Sequence, residues 1–136
     1  MEDPKTSLTS IAKACLDGAE AGSMTFPDIV RTLMAAGFES YAIDFRRARA
    51  LYYTAEGDWL ELQIHQVDGP VAAVFDVPRI RDAIRQAQQL APGYSYKGFC
   101  RTVVDAGCCG YVVSFLGRRA VYAGRTGETH VEHFPD

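Results

Sequence analysis

RTLMAAGFESYAIDFRRARALYYTAEGDWLEL (Arg31–Leu62) and RTVVDAGCCGYVVSFLGRRAVYAGRTGETHVE (Arg101–Glu132) are one stretch of sequence written twice, seventy residues apart and without a gap. Ten of the 32 aligned positions are identical: Arg31/Arg101, Thr32/Thr102, Ala36/Ala106, Gly37/Gly107, Tyr41/Tyr111, Phe45/Phe115, Arg49/Arg119, Ala50/Ala120, Tyr52/Tyr122 and Gly57/Gly127. Ordinary composition would give roughly two. The chain therefore reads as an internal duplication. Each copy is a control for the other, and the positions where they differ are where specialisation of one copy is to be sought.

Working outward, each copy shows the same order of signals. Ser7 is placed to cap a first helix with Leu8, Ile11, Ala12, Cys15 and Leu16 on one face, leaving Met1–Thr6 as a frayed tail. Gly22-Ser23 breaks that helix. Thr25-Phe26-Pro27-Asp28 starts the next, with Thr25 as cap, Pro27 in the first turn and Asp28 completing a capping box. Its apolar residues Ile29, Val30, Leu33 and Met34 are expected to be buried, and Gly37 to close it. Strands are expected at Ser40–Arg46, Arg49–Thr54 and Trp59–His65, the last showing Leu60, Leu62 and Ile64 in strict alternation.

In the second copy, Asp76-Val77-Pro78 opens a helix carrying Ile80, Ala83, Ile84 and Ala87, and Pro92-Gly93 ends it. Ser95 caps a helix carrying Phe99, Cys100, Val103 and Val104 that stops at Gly107, and strands follow at Gly110–Leu116, Arg119–Gly124 and Glu128–His133. Gln66–Phe75 links the copies, with Val71–Phe75 either a short strand or a buried connector.

A type II′ turn at Gly117-Arg118 would set Phe115 against Ala120 and Val113 against Tyr122. The repeated Tyr41, Phe45, Ala50 and Tyr52, and their counterparts Tyr111, Phe115, Ala120 and Tyr122, then gather on one face. Arg49 and Arg119 fall on the other, near Asp44 and Ser114. The expected fold is α+β: two helix-helix-three-strand units, approximately residues 7–65 and 77–134, forming one antiparallel or mixed six-stranded sheet against four helices in a single domain spanning 1–136. Two related halves bury like against like about a pseudo-twofold axis, as an isologous dimer does.

Bulk properties narrow the function classes. Hydrophobic residues make up 48% and charged residues 23%, the balance of a globular chain with a core. A net charge of −3 disfavours nucleic acid and anionic membrane as partners. The N-terminus is polar and no apolar run is long enough to span a bilayer, so the expected location is cytoplasmic, with Cys15, Cys100, Cys108 and Cys109 reduced. Those cysteines lack the paired CxxC spacing of a zinc site. No GxxxxGK[ST], GxSxG, HExxH or kinase signature is present, and the GRTGE segment at 124–128 is accounted for by a turn.

Phe26-Pro27-Asp28-Ile29-Val30, Gly37-Phe38-Glu39-Ser40-Tyr41, Ala106-Gly107-Cys108 and Gly124-Arg125-Thr126-Gly127-Glu128-Thr129-His130-Val131-Glu132 resemble the YbcV-like family, small uncharacterised bacterial and prophage-associated proteins sometimes labelled phage envelope proteins. The resemblance runs from about Ser7 to Pro135. It implies no established activity, and no catalytic role carries over. Relatives often have histidine after the tyrosine matching Tyr41; this chain has Ala42.

The candidate catalytic residues are Glu128, His130 and Glu132, which share one side of an extended strand. A histidine between carboxylates can act as a general base or bind a metal. His130 and Glu132 replace Leu60 and Leu62 of the first copy, which sharpens the case. Against it stands a one-residue register slip after Gly127, which would turn Val131 inward and leave the acidic pair in solvent.

Cys108-Cys109 reads as packing at a helix–strand junction, since a helix C-terminus disfavours a thiolate. A metal site from His65, His130, His133 and a cysteine has poor spacing, and neither metal nor cofactor is expected. Arg46, Arg47, Arg49, Arg118, Arg119 and Arg125 form two basic hairpins, where Arg49 and Arg119 are expected in structural ion pairs.

The leading expectation is a non-enzymatic domain that binds a small ligand or a protein partner, with Arg119, His130 and Glu132 as ligand-binding residues and a homodimer as one form of partner. The alternatives are a small hydrolase- or isomerase-like enzyme using His130 with Glu128 or Glu132, and a phage-derived structural component.

Overall fold

The two three-stranded halves of the sheet meet at their first strands. A computed structural model describes residues 4–135. It contains α1 (Pro4–Ala21), α2 (Phe26–Ala35), β1 (Phe38–Asp44), β2 (Arg49–Thr54), β3 (Trp59–Gln63), α3 (Val77–Gln89), α4 (Tyr96–Asp105), β4 (Cys108–Ser114), β5 (Arg119–Gly124) and β6 (Thr129–His133). The strands form one antiparallel sheet in the order β3-β2-β1-β4-β5-β6. At the seam between β1 and β4, Ala42 faces Val112, its own counterpart seventy residues on. Tyr41 faces Val113 and Ile43 faces Tyr111, so a shift of seventy exchanges the two pairs. A local twofold axis therefore passes between Ala42 and Val112.

The helix starts follow local chemistry. Thr25 and Asp28 form the reciprocal capping box, Asp76 accepts from the Arg79 amide, and Ser95 accepts from the Gly98 amide. At the N-terminus the expectation needs correction. Met1–Asp3 lie outside the described residues, but Pro4–Thr6 are helical rather than frayed, and Ser7 sits inside α1 instead of capping it. Proline is favourable in a first turn, where its missing amide has no intrahelical partner to lose. In α2 only Leu33 is fully buried; Ile29 and Val30 are half-buried, and Met34 is exposed. The helix rests on α1 and β1, and its apolar stripe is wider than the surface that covers it.

The hairpins correct a second expectation. The pairs are Asp44 with Arg49 and Ser114 with Arg119, so each loop has four residues, Phe45–Ala48 and Phe115–Arg118. Each loop ends on a non-glycine residue in the left-handed region, Ala48 at φ 53° and Arg118 at φ 51°, and Gly117 does not have positive φ. No type II′ turn is present. The last strand residue before each loop braces the turn: Asp44 accepts from the Arg46 and Arg47 amides, and Ser114 accepts from the Gly117 amide. The register thus moves by two residues, so Val113 faces Ala120 and Tyr111 faces Tyr122. An even shift leaves every side chain on its expected face.

That face is the core. Tyr41, Phe45, Ala50 and Tyr52, with Tyr111, Phe115, Ala120 and Tyr122, are all buried beneath the helices. Tyr41 stacks on Tyr52 with ring centres 5.7 Å apart, and Tyr111 lies 5.1 Å from Tyr122. The Tyr96 hydroxyl, from the start of α4, shares a 2.8 Å hydrogen bond with the Tyr111 hydroxyl. Of the two readings of Val71–Phe75, the buried connector holds: Val71 and Phe75 enter the core and no strand forms there. The Ala72 amide donates to Val104 O, the Asp76 amide to Ala106 O, and Arg125 Nη1 to Val71 O.

Candidate functional site

His130 and Glu132 lie on the last strand of the sheet, β6. Register decides which way they point. His130 pairs with Tyr122 and Glu132 with Ala120, two residues whose side chains lie on the helix-covered face. The one-residue slip does not occur: Val131 points to the opposite face, where it is 39% exposed. The His130 and Glu132 side chains are 14% and 27% exposed, and His130 Nε2 lies 2.9 Å from Glu132 Oε2. An ionised carboxylate only accepts, so this ring nitrogen carries the hydrogen. The corresponding leucine of the first copy, Leu60, is buried against Tyr52. Where the first half of the sheet carries Leu60 and Leu62, the second half carries a hydrogen-bonded polar pair.

The other candidates do not converge on that pair. Glu128 is exposed in the preceding turn, where Thr126 Oγ1 donates to Glu128 Oε1 at 2.7 Å and accepts from the Glu128 amide. Arg119 lies across the sheet from His130 and Glu132, paired with His133 on the open face. Arg119, His130 and Glu132 therefore do not surround one ligand. The expected ion pairs of Arg49 and Arg119 are replaced by bonds to loop carbonyls: Arg49 Nη1 donates to Arg47 O and Ala48 O, and Arg119 Nε to Gly117 O. These guanidinium groups fasten the two hairpin turns. Arg47 does pair with Glu61, at 3.4 Å on the surface.

A second histidine–carboxylate pair escaped the sequence reading. His65 Nδ1 lies 2.8 Å from Glu20 Oε1, with side chains 17% and 23% exposed. The His65 ring meets the edge of Tyr96 at 6.2 Å, and its Nε2 is buried without a hydrogen-bond partner among the described residues. Glu20 stands 45 residues away on α1, and no spacing rule connects the two. His65 follows β3 at one edge of the sheet, while His130 and His133 occupy opposite faces of β6 at the other. The histidines thus do not assemble, and among the described residues no group of three or more His, Cys, Asp or Glu is arranged to hold a metal ion.

Two shallow clefts lie elsewhere. One, about 170 Å³, sits between the β1–β2 hairpin and the connector and is lined by residues including Phe45, Gln66 and Val71. The other, about 190 Å³, lies between α3 and α4 and includes Gln86, Tyr94 and Thr102. Neither contains His130, Glu132 or Arg119.

The cysteines are all free thiols. Cys108 is fully buried and its Sγ donates to Gly110 O, while half-buried Cys109 donates to Ala123 O. Burial pushes the Cys100 and Cys108 thiols up to about 12, and raises Cys15 as well. A thiol held protonated at neutral pH is a poor nucleophile. Labelling of the native protein with a thiol reagent is accordingly expected to spare Cys15, Cys100 and Cys108 and to reach Cys109 first. Rapid modification of Cys108 with the fold intact would contradict the packing role.

Among the described residues no helix is long and apolar enough to cross a membrane. No protein-family model matches the chain, and no curated protein matches it.

Proposed function

We propose that this chain is a protein-interaction domain whose docking surface is the open face of the sheet. One row of residues across the strands supports this most strongly: Glu61, Leu51, Ala42, Val112, Val121 and Val131, each paired with the next. Five of the six are apolar. Val112 sits in the middle of the sheet, flanked on both sides in its row, and is still 47% exposed. Trp59 and Tyr53 extend the apolar surface at one corner, at 55% and 40% exposure. Val112 and Val131 are exposed while Leu51, Ala42 and Val121 are half-buried, and an apolar strip of this kind, open to solvent on an ordered sheet, is a usual mark of an interaction site.

His130 and Glu132 then have a structural part, closing the core at the edge strand with a polar pair that satisfies itself. The enzyme alternative would need a recess at His130, and neither cleft reaches it. The resemblance to the YbcV-like family adds no activity to either reading.

The test is photo-crosslinking in the producing cells from benzoylphenylalanine placed at Val112, with the same group at Val74 as control. Val74 is 75% exposed but lies in the connector, off the sheet. Discrete protein adducts from position 112 and none from position 74 are expected. No adduct from position 112 would overturn the proposal.

A further inference from the structure

We infer that the occupant of the open face is a second copy of this chain, packed sheet on sheet about a twofold axis that runs along the strands; the inference rests on the docking face proposed above. The arrangement would bury both open faces between two outer helical layers. Packed sheets stand ~10 Å apart with strand directions within about 30° of each other.

The open face has three rows of residues. Beside the apolar row run Trp59, Tyr53, Ser40, Ser114, Arg119 and His133 on one side, and Gln63, Arg49, Asp44, Gly110, Ala123 and Thr129 on the other. A twofold axis along the strands, lying over the β1–β4 seam, sets β1 over the second copy's β4, β2 over its β5 and β3 over its β6. Each row then meets itself in reverse order. Val112 faces the second copy's Ala42 and Leu51 faces its Val121 along the middle, while at the edge Glu61, held by Arg47, faces its Val131.

In the flanking rows, Tyr53 faces the second copy's Arg119, and Trp59 faces its His133. A guanidinium group is favourable over an aromatic face. Asp44 faces Gly110, and Arg49 faces Ala123, so no like charges meet. Turning the axis across the strands would instead place Glu61 on the second copy's Glu61, with two carboxylates opposed. The charge pattern selects the first axis.

Charge and area both suit self-association. Glu61 is paired with Arg47 and Asp44 stands across the ladder from Arg49, so the acidic groups of the face are already matched and no two like charges are opposed across the twofold axis. Six strands about 4.8 Å apart and five residues deep project roughly 500 Å² per copy. The pair therefore buries on the order of 1,000 Å², the lower bound for a specific interface.

Light scattering of the purified full chain tests this. The wild type is expected at twice the 14.9 kDa chain mass. Val112→Glu and Val112→Lys are each expected at the single-chain mass, with self-association weakened roughly 100-fold or more by burial of an unpaired charge. Because the two copies of position 112 flank the axis, an equimolar mixture of these variants is expected to regain the double mass. Unchanged circular dichroism of each variant excludes misfolding.

A wild type at the single-chain mass, or a double mass that survives both substitutions, overturns the second-copy assignment. If that happens while position 112 still gives adducts to a different protein, the docking face stands with another occupant. If position 112 gives no adduct, the docking face falls as well.

Discussion

Gly107→Ala is expected to come close to unfolding the protein, while Gly37→Ala, the same change at the matching position of the first copy, is expected to be mild. Both glycines end the second helix of their unit in the left-handed region, at φ 95° and φ 102°. An L-residue in that region costs about 1–2 kcal/mol at either site. The surroundings differ. A Cβ at Gly37 meets nothing within 4 Å. A Cβ at Gly107 would lie on the Val74 carbonyl oxygen, 2.8 Å from Val74 C and 3.0 Å from Phe75 Cα.

These are backbone atoms, and bonds from Ala72 and Asp76 to the end of α4 hold them in place, so they cannot swing aside. Phe75 is also seated against Gly124, where an added Cβ would meet its ring. The combined strain should exceed ~4 kcal/mol, a large share of a typical total of about 5–15 kcal/mol. Urea unfolding of both variants checks this. A midpoint for Gly107→Ala no lower than that of Gly37→Ala would show that the connector does not press on this position.

The second large effect is with pH. Burial raises the pKa of the phenols of Tyr41, Tyr52, Tyr96, Tyr111 and Tyr122 above the ordinary tyrosine value. In the unfolded chain these groups ionise near pH ~10. Below that pH both states keep their protons, and stability does not depend on them. Above it the unfolded chain releases protons that the folded chain retains, so stability falls as pH rises. Each phenol contributes about 1.4 kcal/mol per pH unit in this window, or roughly 7 kcal/mol per unit for the five together.

Cooperative alkaline unfolding is therefore expected within about one to two units above pH 10. Phenolate absorbance should rise together with the loss of circular dichroism. Ionisation of all the tyrosines with the fold retained would contradict the buried aromatic face.

What could be read from the sequence was local or periodic. The Thr25–Asp28 capping box and the Asp76 and Ser95 caps are decided within four residues. The inward set of Tyr41, Phe45, Ala50 and Tyr52 follows from alternation, and it survives a hairpin register wrong by two because parity is unchanged. The turn type is not legible in the residues because Ala48 and Arg118 take a conformation usually left to glycine, in loops braced by Asp44 and Ser114.

Whether His130 or Val131 faces the helices could not be decided from β6 alone. It is fixed by the partners Tyr122 and Ala120 across the ladder. The pairing of Glu20 with His65 depends on where α1 lies, which periodicity does not encode. The separation of Arg119 from His130 follows from odd and even positions on two different strands, and it emerges only when their register is known.

The strand order bears on how the chain reaches its fold. β1 with β2, β2 with β3, β4 with β5, and β5 with β6 are all neighbours in sequence, joined by short turns. Only the β1–β4 seam joins residues about seventy apart. Loop-closure entropy grows slowly with length, so the chain meets that larger cost once, after most of the sheet can already have formed locally. A six-stranded sheet would ordinarily imply high contact order and slow folding. Here two meanders can form first and then collide along one seam, giving this sheet a folding problem closer to that of two small hairpin units docking than to that of a sandwich threaded through distant strands.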